Sequence, residues 1–485
     1  MKELNKTIKN YFKSLVIITQ KSIKYLKMYG IKAFVNKLMK KLNLKNPFFV
    51  KRRNIVAKKI KLIKMEETII PFEDANISVI IPTKNAGGSF EQLLSMIRKQ
   101  KGCKNIEIVI VDSGSTDNTI EFANSYKAKI VEIPAEKFSH SYSRNLGAEN
   151  ASGSYLLFIT QDILPPNDLW LYELLLALKN NDVVAVSCAE FPREDCDLIY
   201  RVLSWNHTRF LELDKNDRIC SKPQKENYLS LRKNGQLSDV TCLIIKDIFM
   251  NYKYRYDYGE DLDLGIRLIK DNHKLALLSS INVIHSHNRS PYYYLKRWYV
   301  DSQFLNSVLP DFPIPEIEIK YLVKDIIEIY RLINCFINVK LLKTSLPCSI
   351  EDLSHDVQNI DKLVLGHNIN LNLEIDSNKY IDNEFKNFLK QIYSSYSAND
   401  IFTQKNKANN EIFFNSVLNF INLTLEYMKS CYEYVDDTIL EEFKDSIFKA
   451  YAIICGEYLA YCYLKDINGA KEELKNISAE LIKGV

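Results

Sequence analysis

The sequence predicts an α/β protein built on a mostly parallel sheet, with a basic helical segment before it and an all-α region after it. Three observations carry that expectation. Two largely apolar runs, Ile77 to Ile81 and Ile106 to Val111, end in small or polar residues, as buried parallel strands do where their C-terminal ends open onto a crevice. Between them Phe90, Leu93, Leu94 and Ile97 recur three or four apart on one helical face, so the unit is strand, helix, strand with a right-handed crossover. Beyond about Pro315, stretches such as EIEIKYLVKDIIEIYRLINCFI and SVLNFINLTLEYMKSCYEYV keep a helical period with few Gly or Pro.

The other elements follow in chain order. AKIVEIP (128–134) reads as a third strand, SRNLGAENASG (143–153) as a short helix ending at Gly153, SYLLFITQD as a fourth strand and DVVAVSCAEF (182–191) as a fifth. Residues 192–237 lose clear periodicity and gain Arg, Asn, Lys and Pro, so a variable, specificity-bearing segment is expected there. SDVTCLIIKDIF (238–249) regains strand character. A helix is expected from Asp261, where Leu262, Ile266 and Ile269 share a face, and KLALLSSINVIHSH supplies strand-like edges. The expected divisions are 1–75, a basic amphipathic segment; 76–310, the α/β domain; and 311–485, the all-α domain.

A chain of 485 residues is long enough for two or three domains, and 46% hydrophobic with 26% charged residues fits a globular protein. The net charge of +5 conceals an asymmetry: residues 1–65 hold 17 Lys and 2 Arg against the single acid Glu3, about +18, leaving about −13 elsewhere. The longest apolar run in that segment, LVIIT (15–19), is too short for a signal peptide or a span. Tyr11, Leu15, Ile18, Tyr25, Phe34, Leu38 and Leu42 among the lysines suit a helix lying on an anionic membrane surface, the alternative being a solvated basic helix against an acidic body. No nucleic-acid motif accompanies the charge. Ten cysteines without a C-x-x-C pair or metal-ligand spacing read as reduced thiols. The expectation is a cytoplasmic protein, peripheral on the inner face of the cell membrane.

Neither G-x-G-x-x-G nor G-x-x-x-x-G-K-[ST] follows either early strand, so a diphosphate bound there has to be neutralised by other means. Asp112 can accept hydrogen bonds from a base or ribose, while Ser113, Gly114 and Ser115 let the backbone turn closely around a ligand. An equally good reading makes Asp112 a turn-forming strand-end residue, with Asp117 capping the next helix.

The segments SVIIPTKNAGG, IVIVDSGSTDNT, FSHSYSRNLGAENASGSYLLFITQDILPPNDLWL, YGEDLDLGIRLIKDNHKLALL and VIHSHNRSPYYYLKRWYVD, in that order, resemble the inverting family 2 glycosyltransferases with the GT-A fold, and within them the rhamnosyltransferase-like branch. The resemblance covers roughly residues 76–305. It implies a nucleotide-sugar donor, dTDP-L-rhamnose first and a UDP-hexose as the alternative, and a surface polysaccharide or lipid-linked glycan as acceptor. It also implies a divalent cation, Mg²⁺ or Mn²⁺. An inactive nucleotide-sugar-binding scaffold is the reading outside enzymes.

The resemblance places a metal-holding aspartate pair at Gln161 and Asp162, where only Asp162 can supply a charged ligand. His285 and His287 occupy alternate positions of an extended segment and so face the same way, and the resemblance brings one of them, His285 first, to the diphosphate or the metal. Glu260 and Asp261 open a helix, whose N-terminus favours the ionised carboxylate that a general base needs. Simple N-capping is the structural alternative. The resemblance makes Asp261 the base, with Glu260 orienting it or touching the acceptor. Arg144, with Asn145, matches a position near the nucleotide, where a guanidinium fork suits a diphosphate or base carbonyl. Pro82, Thr83 and Asn85 line the first strand end. Arg297 and Trp298 either close the site or pack beneath it.

Overall fold

The computed structural model describes residues 61–62, 69–363, 370–395, 407–465 and 472–483. The basic segment expected over residues 1–65 lies outside the described residues apart from Lys61 and Leu62. Eight strands form one sheet: β1 (Phe72–Thr83), β2 (Cys103–Asp112), β3 (Lys129–Glu132), β4 (Tyr155–Ile159), β5 (Ala185–Phe191), β6 (Arg218–Cys220), β7 (Thr241–Ile245) and β8 (Leu275–Ile284). Their spatial order is β3-β2-β1-β4-β7-β5-β8-β6. The pairs β1–β2, β2–β3, β1–β4 and β5–β8 are parallel. β7 runs antiparallel between β4 and β5, and β6 antiparallel on the edge of β8. Because β7 is reversed, its first residue, Thr241, lies opposite Ile159 at the end of β4. Residues 238–240 therefore reach the same sheet edge as residues 160–162.

The apolar runs are continuous because both faces of the sheet are covered. Ile77, Val79 and Ile81 share a core with Phe90, Leu93, Leu94 and Ile97 of the helix Ser89–Arg98, and with Trp170, Leu171 and Leu174 of the helix Trp170–Asn180. On the opposite face Ile80, Val109 and Phe158 pack with Ala148, Phe249 and Leu264. Each such side chain withdrawn from water contributes about 1.5–3 kcal/mol. This two-sided core holds the strand ends in fixed register, with Thr83 opposite Asp112 and Asp112 opposite Glu132.

Three expectations need correction. The helix expected over 143–153 runs His140–Glu149: the Ser139 hydroxyl caps it by accepting from Tyr142 N, and the chain has left the helix by Gly153, whose N–H donates to Ser78 on β1. The segment 192–237 is not loop-like throughout; it carries the helix Leu198–Phe210, β6 and the helix Tyr228–Asn234. Periodicity is weak there because only Leu198, Ile199 and Val202 of the first helix are buried, while polar residues on its other faces pair with the C-terminal helices. Strand character over 238–249 belongs only to Thr241–Ile245, and the helix Lys246–Tyr252 follows at once.

From Ile319 onward the described residues form helices, joined by one isolated bridge between Cys348 and Val435. The long helix Asp437–Lys465 lies against the helix Pro291–Val308 so closely that a Cβ on Gly456 would sit 2.1 Å from the Leu295 carbonyl oxygen. Leu198, Ile199, Val202, Tyr294, Leu295 and Tyr299 share one core with Ile326, Tyr330, Phe443 and Tyr451. No described helix is long and apolar enough to cross a membrane. All ten cysteines are free thiols.

Candidate active site

The strand ends β1 and β2 are laced together by the turn after Asp112. Asp112 Oδ1 accepts from the N–H groups of Gly114 (3.0 Å) and Ser115 (2.8 Å), and Oδ2 from the hydroxyls of Thr83 (2.9 Å) and Ser115 (2.5 Å). Four donors use the whole acceptor capacity of a carboxylate. The side chain thus shapes the turn, and a ligand can reach it only by displacing one of these donors. Ser113 N donates to the Thr83 carbonyl. Asn85 has a left-handed backbone (φ 47°); its N–H donates to Ser115 Oγ, and its side-chain oxygen accepts from Thr116 N. Pro82 precedes this buried Thr83 anchor, half-buried on the same strand end.

Gln161 is a clamp between strand ends. Its Oε1 accepts from Lys84 N at 2.9 Å and its Nε2 donates to Lys84 O at 3.3 Å. Beside it, Asp162 Oδ1 lies 3.5 Å from His285 Nε2, and Oδ2 lies 3.4 Å from His287 Nε2. The two imidazoles meet edge-on with centroids 4.8 Å apart. Ser286 between them points elsewhere, accepting from Arg193 N. The ligand atoms of Asp162, His285 and His287 all lie within 4.8 Å of one another. The expected trio is therefore one cluster.

The rear nitrogen of His285 is also engaged, with Nδ1 3.1 Å from Glu190 Oε2 and 3.4 Å from the Tyr200 hydroxyl. Its buried Nε2 has no hydrogen-bond partner among the described residues. A buried ring held by a carboxylate from behind, its front nitrogen left unpartnered and facing a second carboxylate at 3.5 Å, is the arrangement of a ligand set. These residues fit a divalent cation, and two imidazole nitrogens beside one carboxylate suit a transition ion such as Mn²⁺ better than all-oxygen Mg²⁺. Burial resists charge on both imidazoles. The Asp162 and Glu190 carboxylates on either side overcome it at His285 and push its pKa up to about 10, whereas His287, facing Asp162 alone and beside the His285 cation, falls to about 4. Burial also opposes ionisation of Asp162, but the two histidines hold it well below the usual carboxylate range.

A second cluster adjoins this one. Gly259 caps the helix Glu260–Lys270 with φ 63°, and a Cβ there would lie 2.2 Å from the Phe304 ring, so only glycine turns the chain into this helix. The buried Arg144 donates to Asp239 Oδ2 (2.7 Å) and Glu260 Oε1 (3.1 Å), with His140 Nδ1 at 3.2 Å. Both of its terminal nitrogens are thus held inside the protein. Asn145 is occupied structurally as well, exchanging hydrogen bonds with the backbone of Tyr254. Asp261 accepts from Asp239 N (3.1 Å) and Leu262 N (2.8 Å). Burial, then the Asp239 and Glu260 carboxylates, raise Asp261 well above the carboxylate range. Burial likewise raises Glu260, to about 7, against the Arg144 guanidinium. His140, Asp239 and Glu260 have ligand-like spacing, but Arg144 already fills the space among them with positive charge. Arg297 stands over the Tyr258 ring at 5.6 Å, and Trp298 packs on Tyr294.

Residues Ser238 and Asp239, immediately before β7, join the clusters. The Ser238 hydroxyl donates to Glu190 Oε1 at 2.9 Å, behind His285, while Asp239 supplies the N–H to Asp261 and the carboxylate to Arg144. Sequence reasoning missed Glu190, Tyr200, Ser238, Asp239 and His140. Glu190 was accessible by the logic that found Asp112 and Asp162, since it closes an apolar strand. Asp239 was not, because nothing local reveals that its strand is reversed.

Residues 78–239 match the family described as Glycosyl transferase family 2. The chain is 26% identical over 232 residues to the O-antigen chain rhamnosyltransferase WbaN of Salmonella anatum, spanning 46% of this chain and 70% of that protein. It is 25% identical over 241 residues to the O-antigen chain rhamnosyltransferase RfbN of Salmonella typhimurium, with the same shares covered. Among solved structures, the mannosyltransferase PcManGT from Pyrobaculum calidifontis aligns with 50% of this chain and 68% of its own at 17% identity and a TM-score of 0.39. The matched stretch contains Asp112, Arg144, Asp162, Glu190 and Asp239, so the part of the chain that carries these residues is a glycosyl transferase family 2 domain.

Proposed function

We propose that this protein transfers a sugar, with inversion, from a nucleotide-diphosphate donor to a hydroxyl of a surface polysaccharide or lipid-linked glycan, with dTDP-L-rhamnose as the donor. The observation that carries the reading is the meeting, at one sheet edge, of a cation-fitting cluster with a carboxylate pair of raised proton affinity, joined through Ser238 and Asp239. The similarity to two O-antigen chain rhamnosyltransferases supports the choice of sugar.

Asp162, His285 and His287 are the residues that would hold Mn²⁺ or Mg²⁺, which when bound compensates charge developing on the departing diphosphate. The wall around the donor is built by Pro82, Thr83, Asn85, the turn Asp112–Ser115, Gln161 and, from beneath, Arg144. Asp261 takes the proton of the acceptor hydroxyl as that oxygen bonds to the anomeric carbon and the carbon–diphosphate bond breaks, so one displacement inverts the centre without a covalent enzyme intermediate. Glu260, held by Arg144, keeps the base in place. Residues 76–310 form the catalytic unit and 311–485 a helical unit in this reading, and the basic residues 1–65 draw the protein to an anionic membrane on the cytoplasmic side.

Turnover of a donor panel by the purified protein tests the reading. Release of dTDP from dTDP-L-rhamnose, faster than release of nucleotide from UDP-hexoses, is expected. Preference for a UDP-hexose would replace the donor, and binding without turnover of any donor would make the protein a scaffold.

A further inference from the structure

The C-terminal helices reach the cation-fitting cluster through a short chain of polar contacts. His285 and His287 flank Ser286, whose hydroxyl accepts from Arg193 N at 3.1 Å and whose carbonyl accepts from the Arg193 guanidinium. Two residues on, Asn288 accepts from Asp197 N at 2.8 Å and donates to the Asp195 carbonyl at 3.1 Å. The segment 193–197 and the histidine segment are therefore stitched side by side. Asp197 also caps the helix Leu198–Phe210, accepting from Tyr200 N at 3.0 Å, and Tyr200 on that first turn places its hydroxyl beside His285 Nδ1. Asp197 stands at the centre of this arrangement.

Its remaining oxygen is gripped from the helical region. Lys449, buried midway along Asp437–Lys465, donates to Asp197 Oδ2 at 2.9 Å and is paired with Asp445 at 2.7 Å. One turn away Arg201 bonds Glu442 at 2.6 Å and the Tyr432 hydroxyl at 2.7 Å, and returns its Nε to the Asp197 carbonyl at 3.3 Å. A lysine with about a tenth of its side chain exposed, aimed at a helix cap, is an expensive way to tie two units together if packing alone were needed. Tyr294, Leu295 and Tyr299 already supply the apolar contact.

We infer that Lys449 is a positioning residue: through Asp197 it fixes the segment 193–197 and, with it, the spacing of His285 and His287 that receives the cation and the donor diphosphate. The C-terminal helices are on this account part of the donor site's scaffold, because the ion pairs Asp197–Lys449 and Arg201–Glu442 tie the chain beside the histidine segment to the long helix Asp437–Lys465. The inference rests on the glycosyl-transfer reading of that site.

The test is calorimetric binding of Mn²⁺ with dTDP to the full chain, alongside steady-state KM and kcat and thermal midpoints. Lys449→Met keeps the stem and removes the charge, and it is expected to weaken Mn²⁺–dTDP binding about tenfold and raise the donor KM more than it lowers kcat. Lys449→Arg should restore most of the binding. Asp197→Asn, which retains a helix cap, should reproduce the Lys449→Met defect, and the double variant should be no worse than either single one. Lys379→Met, which breaks an exposed pair with Glu441 on the same long helix, is the control and should leave binding unchanged. Binding within twofold of wild type in folded Lys449→Met and Asp197→Asn proteins would overturn the inference and leave the donor site standing. Absence of Mn²⁺–dTDP binding by the wild type would remove both.

Discussion

Glu190 meets His285 Nδ1 at 3.1 Å, and this contact decides which imidazole nitrogen faces Asp162. With the Nδ1 hydrogen given to Glu190, the lone pair of a neutral ring is at Nε2, the buried atom without a partner. Glu190 also accepts from Ser238, so its carboxylate is pinned from two sides. Glu190→Gln preserves the shape and weakens the orienting charge. It should lower Mn²⁺ affinity, measured by titration, about 10- to 100-fold. Excess chelator should abolish transfer by the wild type, and added Mn²⁺ or Mg²⁺ should restore it. Full activity in chelator would transfer charge compensation to the protein's own cations and end the role given to Asp162, His285 and His287.

Asp261→Asn keeps the two backbone hydrogen bonds and removes the proton acceptor. Turnover should fall by about 10² or more while donor binding survives. The pH profile gives a second reading. Asp261 and Glu260 both hold their protons above the ordinary carboxylate range, Glu260 to about 7, and a base works only when ionised. Activity should therefore rise with pH, with the lower limb of kcat/KM near neutrality instead of near pH 4. The apparent value belongs to the coupled carboxylates, not to Asp261 alone. The same limb in Asp261→Asn, or a limb at pH 4 in the wild type, would move the base elsewhere.

What could be read from the chain and what could not divide along a physical line. β1, β2 and the helix Ser89–Arg98 rest on local signals, apolar runs and a helical period, whereas the meeting of Asp162 with His285 and His287 was implied by the family resemblance, alternate positions along an extended segment giving only that the two imidazoles face the same way. The segment 192–237 was misread because its helices meet other protein through Arg201, Arg209 and Asp197, so charge replaced the apolar stripe that marks a helix. Arg144 was expected beside the nucleotide, and its two nearest carboxylates, Asp239 and Glu260, lie 95 and 116 residues away in sequence. No local pattern announces such a pairing.

Asp325 lies in the helical core, 1% exposed, and neither carboxylate oxygen has a hydrogen-bond partner among the described residues. Burial, then Glu328, raise its pKa from 3.8 to about 7 against Lys324. The folded state thus holds this proton more tightly than the unfolded chain, so the contribution to stability is complete below about 3.8 and is lost as pH rises through about 7. The loss is on the order of 1–4 kcal/mol by pH 8. Asp325→Asn removes the titration, so the variant should lose less thermal stability than the wild type between pH 5 and pH 8 and be the more stable of the two at pH 8. Parallel stability curves for the two proteins would show that Asp325 finds a partner when ionised.

Residues 1–60 hold about sixteen excess positive charges among apolar residues. Near an anionic bilayer each such charge contributes on the order of 1 kcal/mol before screening. The structure decides where to cut. Leu62 N donates to Asp217 Oδ2 at 2.9 Å, and the Leu62 side chain packs against the core under the sheet. Asp217 also accepts from the N–H groups of Ser279 and Ser280 and from the Ser280 hydroxyl, at the bend of β8 that leads to His285. A deletion through residue 65 removes one of four donors to a buried carboxylate, whereas a deletion of residues 1–60 spares it. The shorter truncation should release the protein from vesicles containing anionic lipid and leave donor hydrolysis unchanged, because every proposed site residue lies beyond position 76. Binding by the full chain should weaken as salt shortens the Debye length to about 8 Å near physiological ionic strength. Co-sedimentation of the truncated protein with such vesicles, or none by the full chain, would assign the basic segment to another purpose.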